Sequence, residues 1–175
     1  LITGASRGIG RAICVKLASE GTDIVFSYRS GDEAASETVN LCREYGIEIH
    51  AIKADVSNSE ECERLIREAV DLLGGRIDIL VNNAGLALGL DKEYEGNPED
   101  WETMIDTNIK GLLTMTRLVV PAMVERNEGH VINIGSVAGD AAYAGGNVYC
   151  ATKAAVKAIT DGLRIDLAHT AVRVT

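Results

Sequence analysis

Residues 1–10 read LITGASRGIG and give the strongest indication of the fold class. Two apolar residues precede three glycines, Gly4, Gly8 and Gly10, and a helical pattern follows over residues 11–19. Glycine lets the backbone turn tightly and come close to a ligand, and the N-terminus of a helix offers free N–H groups at the positive end of its dipole. The order of strand, glycine loop and helix therefore predicts a site for a phosphate group, with a plain tight turn as the alternative.

The residues after the last glycine narrow the class of ligand. Gly10 is followed by Arg11 and Ala12, whereas the phosphate loop of kinases and ATPases continues with Lys and then Ser or Thr. The glycine spacing therefore excludes that loop and leaves the pyrophosphate of a dinucleotide as the expected ligand.

The end of the second predicted strand indicates which dinucleotide would bind. A free ribose 2′-hydroxyl is usually bound by an acidic residue at this point, but residues 26–30 read FSYRS and contain no carboxylate. Arg29 is placed to receive a 2′-phosphate, and Arg7 in the glycine loop is placed to reach the same group, since guanidinium pairs well with phosphate oxygens. These residues favour NADP(H) over NAD(H). The alternative is that Asp32 or Glu33 faces the ribose.

Short apolar runs alternate with helical patterns along the whole chain. The predicted strands are residues 1–2, 24–26, 47–52, 77–81, 131–134 and 172 onward, and the predicted helices are residues 11–19, 57–73, 98–125 and 148–168. Ser57 and Glu60 have the spacing of a capping box, and Pro98 after Asn97 is typical of a first helical turn. The alternation predicts a single α/β unit with a parallel sheet, whose ligand lies beyond the carboxyl ends of the strands.

Polar residues follow three of these strands. Asp55 and Val56 follow the third strand, residues 82–85 (Asn-Asn-Ala-Gly) follow the fourth, and Ser136 follows the fifth. Asp55 either hydrogen-bonds an adenine amino group or is a charge at the N-terminus of the next helix. Ser136 is predicted to donate a hydrogen bond to a substrate oxygen. A serine nucleophile is disfavoured, because the chain has no G-x-S-x-G elbow and its histidines form no triad pattern.

Tyr149 and Lys153 are four residues apart in the predicted helix 148–168, so they lie on one face about one turn apart. A phenol ordinarily loses its proton near pH 10, and a fixed ammonium close by stabilises the anion. The pair is therefore predicted to act as a proton donor and acceptor, although an exposed helix pair is the plainer interpretation of these two residues alone. Asn108 stands inside another predicted helix, where Asn is a poor helix former, and indicates a local bulge or a water site.

The amino-acid composition indicates the size of the protein and excludes several classes of partner. A chain of 175 residues with 46% hydrophobic residues is long enough for one globular domain with its own core. Its net charge of −9 disfavours nucleic acid and anionic membrane surfaces as partners, and no apolar run approaches the ~20 residues of a membrane span. We find no signal peptide pattern at the start. Four scattered cysteines (Cys14, Cys42, Cys62, Cys150) favour reduced thiols in the cytosol over disulfides or a metal site.

Together these motifs resemble the classical short-chain dehydrogenases/reductases over essentially the whole chain. The matching motifs are T-G-x-x-x-G-x-G at residues 3–10, N-N-A-G at 82–85, Asn108, Ser136 and Y-x-x-x-K at 149–153. The resemblance implies an α/β fold with a Rossmann-like, doubly wound parallel sheet in three layers, and one catalytic domain over residues 1–175. It also implies hydride transfer between NADP(H) and a small alcohol or carbonyl compound.

The resemblance assigns roles to individual residues. Tyr149 would be the general acid/base and Ser136 would orient the carbonyl. Lys153 would bind the nicotinamide ribose and tune Tyr149, and Asn108 would hold a proton-relay water. The residues expected to bind the cofactor are Gly4, Ser6, Arg7, Gly8, Ile9, Gly10, Arg29, Asp55, Val56, Asn82, Ala84, Gly85, Tyr149 and Lys153. No metal ion is expected.

Within the family the two halves of the chain point to different branches. Residues 28–30 and 55–56 are similar to 3-oxoacyl-[acyl-carrier-protein] reductases, whereas residues 86–149 are similar to NADP-dependent 3-hydroxy acid (serine) dehydrogenases. The residues nearest the reacting carbon belong to the second half, so a 3-hydroxy acid is the favoured substrate. The alternatives are the acyl-carrier reductase and, from another class, a non-catalytic NADP-binding or structural subunit.

The resemblance also implies a cytoplasmic homotetramer or homodimer that assembles through the helices 98–125 and 148–168. Family members are longer than this chain. We therefore expect a core truncated at both ends, without the start of the first strand, the last strand and the substrate loop.

Overall fold

The computed structural model describes residues 1–175, and helices alternate with strands through most of that length. The helices are α1 (Gly8–Ser19), α2 (Asp32–Arg43), α3 (Ser59–Leu72), α4 (Pro98–Ile105), α5 (Leu112–Glu125) and α6 (Asn147–Asp166). The strands are β1 (Ile24–Tyr28), β2 (Ile49–Lys53), β3 (Ile79–Asn82), β4 (Gly129–Asn133) and β5 (Val172–Val174). A π-helical segment, Asp106–Gly111, joins α4 to α5, and short 3₁₀ turns occupy Glu93–Glu95 and Val137–Gly139.

The sheet is parallel throughout, and its strand order is set by the first residues of the chain. β1 pairs with β2, and β3, β4 and β5 pair in that order. Ile2 bridges both halves, because it pairs with Phe26 of β1 on one side and Val81 of β3 on the other. The predicted first strand is thus an isolated bridge at the centre of the sheet. From Ile2 the sheet extends through β1 and β2 on one side and through β3, β4 and β5 on the other. The strand order therefore reverses at Ile2, and a reversal of this kind leaves a crevice at the carboxyl ends of the strands.

Helices cover both faces of the sheet, because its strands are apolar on both sides. α1 and α2 pack on one face over a cluster that includes Cys14, Phe26 and Cys42. α3 and α5 pack on the other face over a larger cluster that includes Leu65, Leu80 and Met115. The three predicted layers are therefore present, with an aliphatic core.

Several predicted boundaries differ from the structure. α1 begins at Gly8, three residues before the predicted start, because the last turn of the glycine loop already hydrogen-bonds as helix. α2 was not predicted, although Asp32 and Glu33 stand in its first turn, where carboxylates favour a helix start. The predicted capping box at Ser57 is wrong: Asn58 caps α3 through bonds from the N–H groups of Glu60 and Glu61 (2.9 and 3.2 Å).

The long helix predicted over residues 98–125 is interrupted. Residues 98–105 and 112–125 are α-helical, but Asp106–Gly111 has π-helical hydrogen bonding with Asn108 inside it. Single π-turns inside helices often mark functional sites. The bulge predicted from Asn108 is confirmed, and it turns that side chain into the protein interior, where the residue is 2% exposed.

Candidate functional site

A cleft of about 470 Å³ lies beyond the carboxyl ends of the strands, at the point where the strand order reverses. It contains thirteen of the predicted cofactor residues: Gly4, Ser6, Arg7, Gly8, Ile9, Gly10, Arg29, Asp55, Val56, Ala84, Gly85, Tyr149 and Lys153. Residues that are far apart in the sequence therefore share one concave surface. A cleft of this size and position is typical of nucleotide-binding α/β proteins.

The glycine loop is hydrogen-bonded to the segment that follows β3. The Thr3 hydroxyl accepts hydrogen bonds from the backbone N–H groups of Asn83 (3.1 Å) and Ala84 (2.9 Å). In return, the Asn83 side-chain amide donates to the backbone oxygens of Thr3 (2.8 Å) and Gly4 (3.0 Å). These four bonds position the loop independently of any ligand.

A second set of bonds supports the loop from the side of α2. The Arg11 guanidinium donates to the Ser6 carbonyl oxygen (2.8 Å) and the Ala34 carbonyl oxygen (3.1 Å), and it forms an ion pair with Glu37 (2.9 Å). The buried Thr38 hydroxyl lies 3.0 Å from the Ser6 carbonyl oxygen. The loop is thus held through its carbonyl oxygens and also through the N–H groups of Thr3, Gly4 and Ala5, which donate within the protein.

Two glycines of the loop are required for different reasons. A Cβ atom on Gly10 would lie 2.6 Å from the Asn83 Nδ2 atom and 2.7 Å from the Ala5 Cα atom, so this position has no room for a side chain. Gly8 has a φ of +58°, and the space beside it is open, with no atom within 4 Å. The N-terminus of α1 has no side-chain cap, so no side chain of the protein satisfies its first N–H groups.

The guanidinium groups of the two predicted phosphate-binding arginines have no partner within the protein. Arg7 and Arg29 line the cleft, are exposed, and have neither an ion pair nor a hydrogen bond to another protein group. Asp32 does not line the cleft; it forms an ion pair with Lys53 (3.1 Å), and that ammonium, together with Tyr28, lowers the pKa of the Asp32 carboxyl. The alternative in which Asp32 or Glu33 faces the ribose therefore does not fit, because both lie on a separate surface of α2.

Asp55 lies three residues before the N-cap of α3, outside the first turn of that helix. It lines the cleft, and its Oδ1 atom accepts bonds from the N–H (2.9 Å) and hydroxyl (2.7 Å) of Ser57, which shapes the turn before α3. Thr107, in the π-helical segment, also lines the cleft. Its hydroxyl is buried and has no hydrogen-bond partner.

Lys153 lines the cleft and is held there by a hydrogen bond to the backbone. It is only 8% exposed, and its Nζ atom donates a hydrogen bond to the Ile134 carbonyl oxygen at the end of β4 (2.8 Å). Burial lowers the pKa of this ammonium. Tyr149, one turn earlier on α6, is half-buried and also lines the cleft. The i, i+4 spacing thus brings a phenol and an ammonium to the same wall.

Ser136 and Asn108 do not line the cleft. Ser136 is half-buried after β4, and its hydroxyl oxygen accepts a bond from the Ala138 N–H (3.1 Å), which leaves the hydroxyl proton available for another acceptor. Asn108 uses both of its amide N–H bonds inside the protein, to the Leu86 carbonyl oxygen (2.9 Å) and the Thr152 hydroxyl (3.0 Å). Its side chain therefore has no N–H left for the relay water that the resemblance implied.

The assignment of Asn82 to the cofactor site needs correction. Asn82 is buried behind the cleft, where its amide donates to the Thr116 hydroxyl (3.2 Å) and the Asn133 side-chain oxygen (2.9 Å). Its neighbour Asn83 lines the cleft instead. Successive side chains of an extended segment point in opposite directions, so only one of the two asparagines can face the ligand.

Several contributing residues are not among the individually predicted cofactor-binding residues, although the resemblance implies that the whole segment 82–85 lines the cofactor site. Asn83, Arg11 and Thr38 hold the glycine loop, and Ser27 accepts a bond from the Gly4 N–H (3.4 Å). A signal existed for Asn83, since it stands inside the Asn-Asn-Ala-Gly motif. Nothing in the sequence pattern joins Thr38 to a loop more than thirty residues earlier.

The remaining chemically reactive side chains form no second site. No group of three or more His, Cys, Asp or Glu side chains is arranged to hold a metal ion. The four cysteines are free and buried, and burial raises the pKa of Cys14 to about 12 and that of Cys62 to about 11. No helix combines the length and the apolar character that a membrane span requires.

The fold is a parallel sheet whose strand order reverses at a glycine loop. The cleft at that point contains two unpaired arginines and a tyrosine–lysine pair. Together these features define the class of the protein, a dinucleotide-dependent α/β oxidoreductase. The chain belongs to the short chain dehydrogenase family, whose model matches residues 1–175. The predicted family and fold class are confirmed.

Relatives with assigned activities extend the comparison. The NADP-dependent 3-hydroxy acid dehydrogenase YdfG of Escherichia coli is 47% identical over 175 residues, a match that covers 100% of this chain and 68% of that protein. The crystal structure of serine dehydrogenase from Escherichia coli superposes with a TM-score of 0.89 at 47% identity and covers 98% of this chain and 77% of its own. The closed form of serine dehydrogenase complexed with NADP⁺ has a TM-score of 0.89 at 46% identity, with coverages of 99% and 69%.

Proposed function

We propose that residues 1–175 form an NADP(H)-binding catalytic domain that interconverts an alcohol of the 3-hydroxy acid type and its carbonyl compound. One observation carries this proposal: the Tyr149 and Lys153 pair lines the same cleft as the free guanidinium groups of Arg7 and Arg29. A non-catalytic binding subunit would have no need for the first pair, and an NAD(H)-dependent enzyme would have no need for the second.

The residues of the cleft fit the chemistry of NADP(H). A pyrophosphate fits the open space above Gly8, at the uncapped N-terminus of α1. A 2′-phosphate fits the exposed Arg7 and Arg29, which have no acidic partner to displace. Asp55, Val56, Ala84 and Gly85 would complete the binding surface between the two ends.

The roles of the protein residues follow from their chemistry. When bound, the nicotinamide supplies or accepts the hydride of the redox step. Tyr149 donates its phenolic proton to the substrate oxygen during reduction and takes a proton back during oxidation. Lys153 stabilises the phenolate and binds the ribose, and Ser136 donates its free hydroxyl proton to the same substrate oxygen.

The substrate class rests on the relatives. The NADP-dependent 3-hydroxy acid dehydrogenase of Schizosaccharomyces pombe is 38% identical over 99% of this chain and 67% of its own length, and the Escherichia coli protein with the same activity in its name is 47% identical. A 3-hydroxy acid is therefore the substrate we propose. The 3-oxoacyl-[acyl-carrier-protein] reductase alternative predicts that thioesters react faster than free acids.

Substitution of the proposed proton donor tests the reaction directly. Tyr149→Phe should lower kcat by about a hundredfold or more, since general acid–base catalysis contributes that much, while NADPH still binds. Tyr45→Phe is the matched control, because Tyr45 is an exposed tyrosine outside the cleft. NADPH oxidation should be measured with 3-oxo acids, 3-oxoacyl thioesters and aldehydes. A Tyr149→Phe protein with wild-type turnover would refute the proposal.

A second experiment tests the choice of cofactor. Arg29→Ser should raise the KM for NADPH by about tenfold or more and leave the KM for NADH unchanged, because a charged hydrogen bond to phosphate is lost. Arg43→Ser is the control, since Arg43 is an exposed arginine at the end of α2. An equal loss for both cofactors would show that Arg29 does not recognise the phosphate.

We also propose a cytoplasmic homotetramer or homodimer that assembles through residues 98–125 and 148–168. Exposed apolar side chains on these helices support an interface: Ile105 is 37% exposed, Leu113 is 44% exposed and Ile165 is 75% exposed. The four free thiols are consistent with a reducing compartment. Light scattering of the purified protein measures the assembly, and Leu113→Lys with Ile165→Lys should shift it toward the monomer.

A further inference from the structure

A series of hydrogen bonds through two buried side chains, Asn108 and Thr152, joins the segment after β3 to the helix that carries Tyr149. The Asn108 side-chain oxygen accepts a bond from the Leu86 N–H, and its amide donates to the Leu86 carbonyl oxygen, both at 2.9 Å. The same amide donates to the Thr152 hydroxyl at 3.0 Å. That hydroxyl in turn donates to the carbonyl oxygen of Tyr149 at 2.7 Å.

The donor and the acceptor of each hydrogen bond in this series follow from the chemistry of the groups. A carbonyl oxygen can only accept, so the single hydroxyl proton of Thr152 points to Tyr149. The Thr152 oxygen must then accept from Asn108, whose two N–H bonds are both in use. Thr152 is 1% exposed and Asn108 is 2% exposed, so both side chains are shielded from bulk water.

We propose that Thr152 is a positioning residue for Tyr149: it fixes the first turn of α6 relative to the cofactor-binding segment at Leu86, through Asn108. This inference rests on the proposed function. Leu86 and Tyr149 both line the cleft, and the series of hydrogen bonds is a polar connection between their two segments. The hydroxyl of Thr152 is the essential part, since it alone both accepts from Asn108 and donates to Tyr149.

The chemistry explains why such a link matters. Proton transfer requires the phenol within hydrogen-bond distance of the substrate oxygen, and a displacement of about 1 Å can cost about a hundredfold in rate. Loss of the link should therefore lower kcat and leave cofactor affinity nearly unchanged, because the phosphate-binding residues lie at the other end of the cleft.

The chain offers a closely matched control. Thr160 lies two turns further along α6 and is also buried. It likewise accepts from an asparagine amide, Asn133 (2.9 Å), and donates to a backbone oxygen, that of Val156 (2.7 Å). It has the same chemistry as Thr152 without the connection to Tyr149. Thr152→Val and Thr160→Val should therefore perturb folding to a similar extent and differ only in catalysis.

The test compares Thr152→Val, Thr152→Ser and Thr160→Val with the wild-type chain, by kcat, by KM for a 3-oxo acid and by the Kd of NADPH. We expect Thr152→Val to lower kcat by about ten- to a hundredfold with the Kd of NADPH within about twofold. Thr152→Ser keeps the hydroxyl and should recover kcat to within about threefold of wild type, and Thr160→Val should retain it.

Equal losses of kcat in Thr152→Val and Thr160→Val, or a failure of Thr152→Ser to recover, would overturn the inference and reduce Thr152 to a structural residue. An active wild type with an unchanged Thr152→Val would overturn it while leaving the proposed function intact. A wild type without NADPH turnover would overturn both.

Discussion

The two ends of the cleft use polar side chains in opposite ways. At the phosphate end, Arg7 and Arg29 are exposed and unpaired, and the space above Gly8 is open. At the proposed catalytic end, Lys153 is buried and hydrogen-bonded within the protein, and so is Asn108, which does not line the cleft itself. A site that receives a highly charged ligand can leave its charges in water until the ligand arrives. A site that moves one proton needs its groups held in place before the substrate arrives.

This comparison predicts that substitutions at the catalytic end reduce stability, whereas those at the exposed arginines leave it nearly unchanged. The largest effect is expected for Asn108→Ala, which removes the three hydrogen bonds of a buried side chain and leaves the Leu86 backbone groups without their partner. At about 1 kcal/mol per bond, the free energy of unfolding should fall by about 3 kcal/mol. Urea denaturation measures this.

Two controls accompany that measurement. Asn40→Ala removes an exposed asparagine on α2, and Arg29→Ser removes an exposed guanidinium, so both should remain within about 0.5 kcal/mol of wild type. If Arg29→Ser destabilised the protein as much as Asn108→Ala, the contrast between the two ends would not hold.

The next effect compares two glycines of one loop. Gly10→Ala places its Cβ atom 2.6 Å from the Asn83 amide and 2.7 Å from the Ala5 backbone, and should cost about 2 kcal/mol of stability. Gly8→Ala meets no atom within 4 Å and carries only the strain of its φ of +58°, about 1 kcal/mol. Thermal melting without cofactor should therefore rank Gly10→Ala below Gly8→Ala. The reverse ranking would mean that the loop relaxes around the added methyl group.

The smallest effect is a pH dependence at Lys153. Burial holds the pKa of this ammonium below its usual value of 10.5 in the folded protein. Between the lowered pKa and 10.5 the unfolded chain binds more protons than the native one, so the contribution of Lys153 to stability rises with pH. The stability of the wild type relative to Lys153→Met should therefore increase as pH is raised from 7 toward 10.

The difference between those two proteins is the informative quantity, because the buried thiols titrate alike in both. Urea denaturation without cofactor at several pH values measures it. A difference that stayed flat or decreased with pH would show that Lys153 is hydrated like a surface lysine in the cofactor-free protein.

Local patterns in the sequence were sufficient for part of the site. The glycine loop could be predicted because glycine, strand and helix signals are adjacent along the chain, and Tyr149 with Lys153 because a helix repeats every 3.6 residues. The bulge at Asn108 followed from the poor helix propensity of asparagine. The choice between Asn82 and Asn83 could not be predicted, because it depends on the residue at which β3 ends and the chain turns.

Residue types at fixed short spacings were sufficient to predict the family, the order of the strands and thirteen of the residues that line the cleft. The sequence does not show which polar side chains remain without a partner and which are hydrogen-bonded to one another, because that depends on the packing of the folded chain. Arg7 and Arg29 have no partner, whereas Asn108, Thr152 and Leu86 are joined across three separate segments. Such partnerships depend on how helices pack against the sheet, and no spacing along the chain encodes which side chains that packing brings within hydrogen-bond distance.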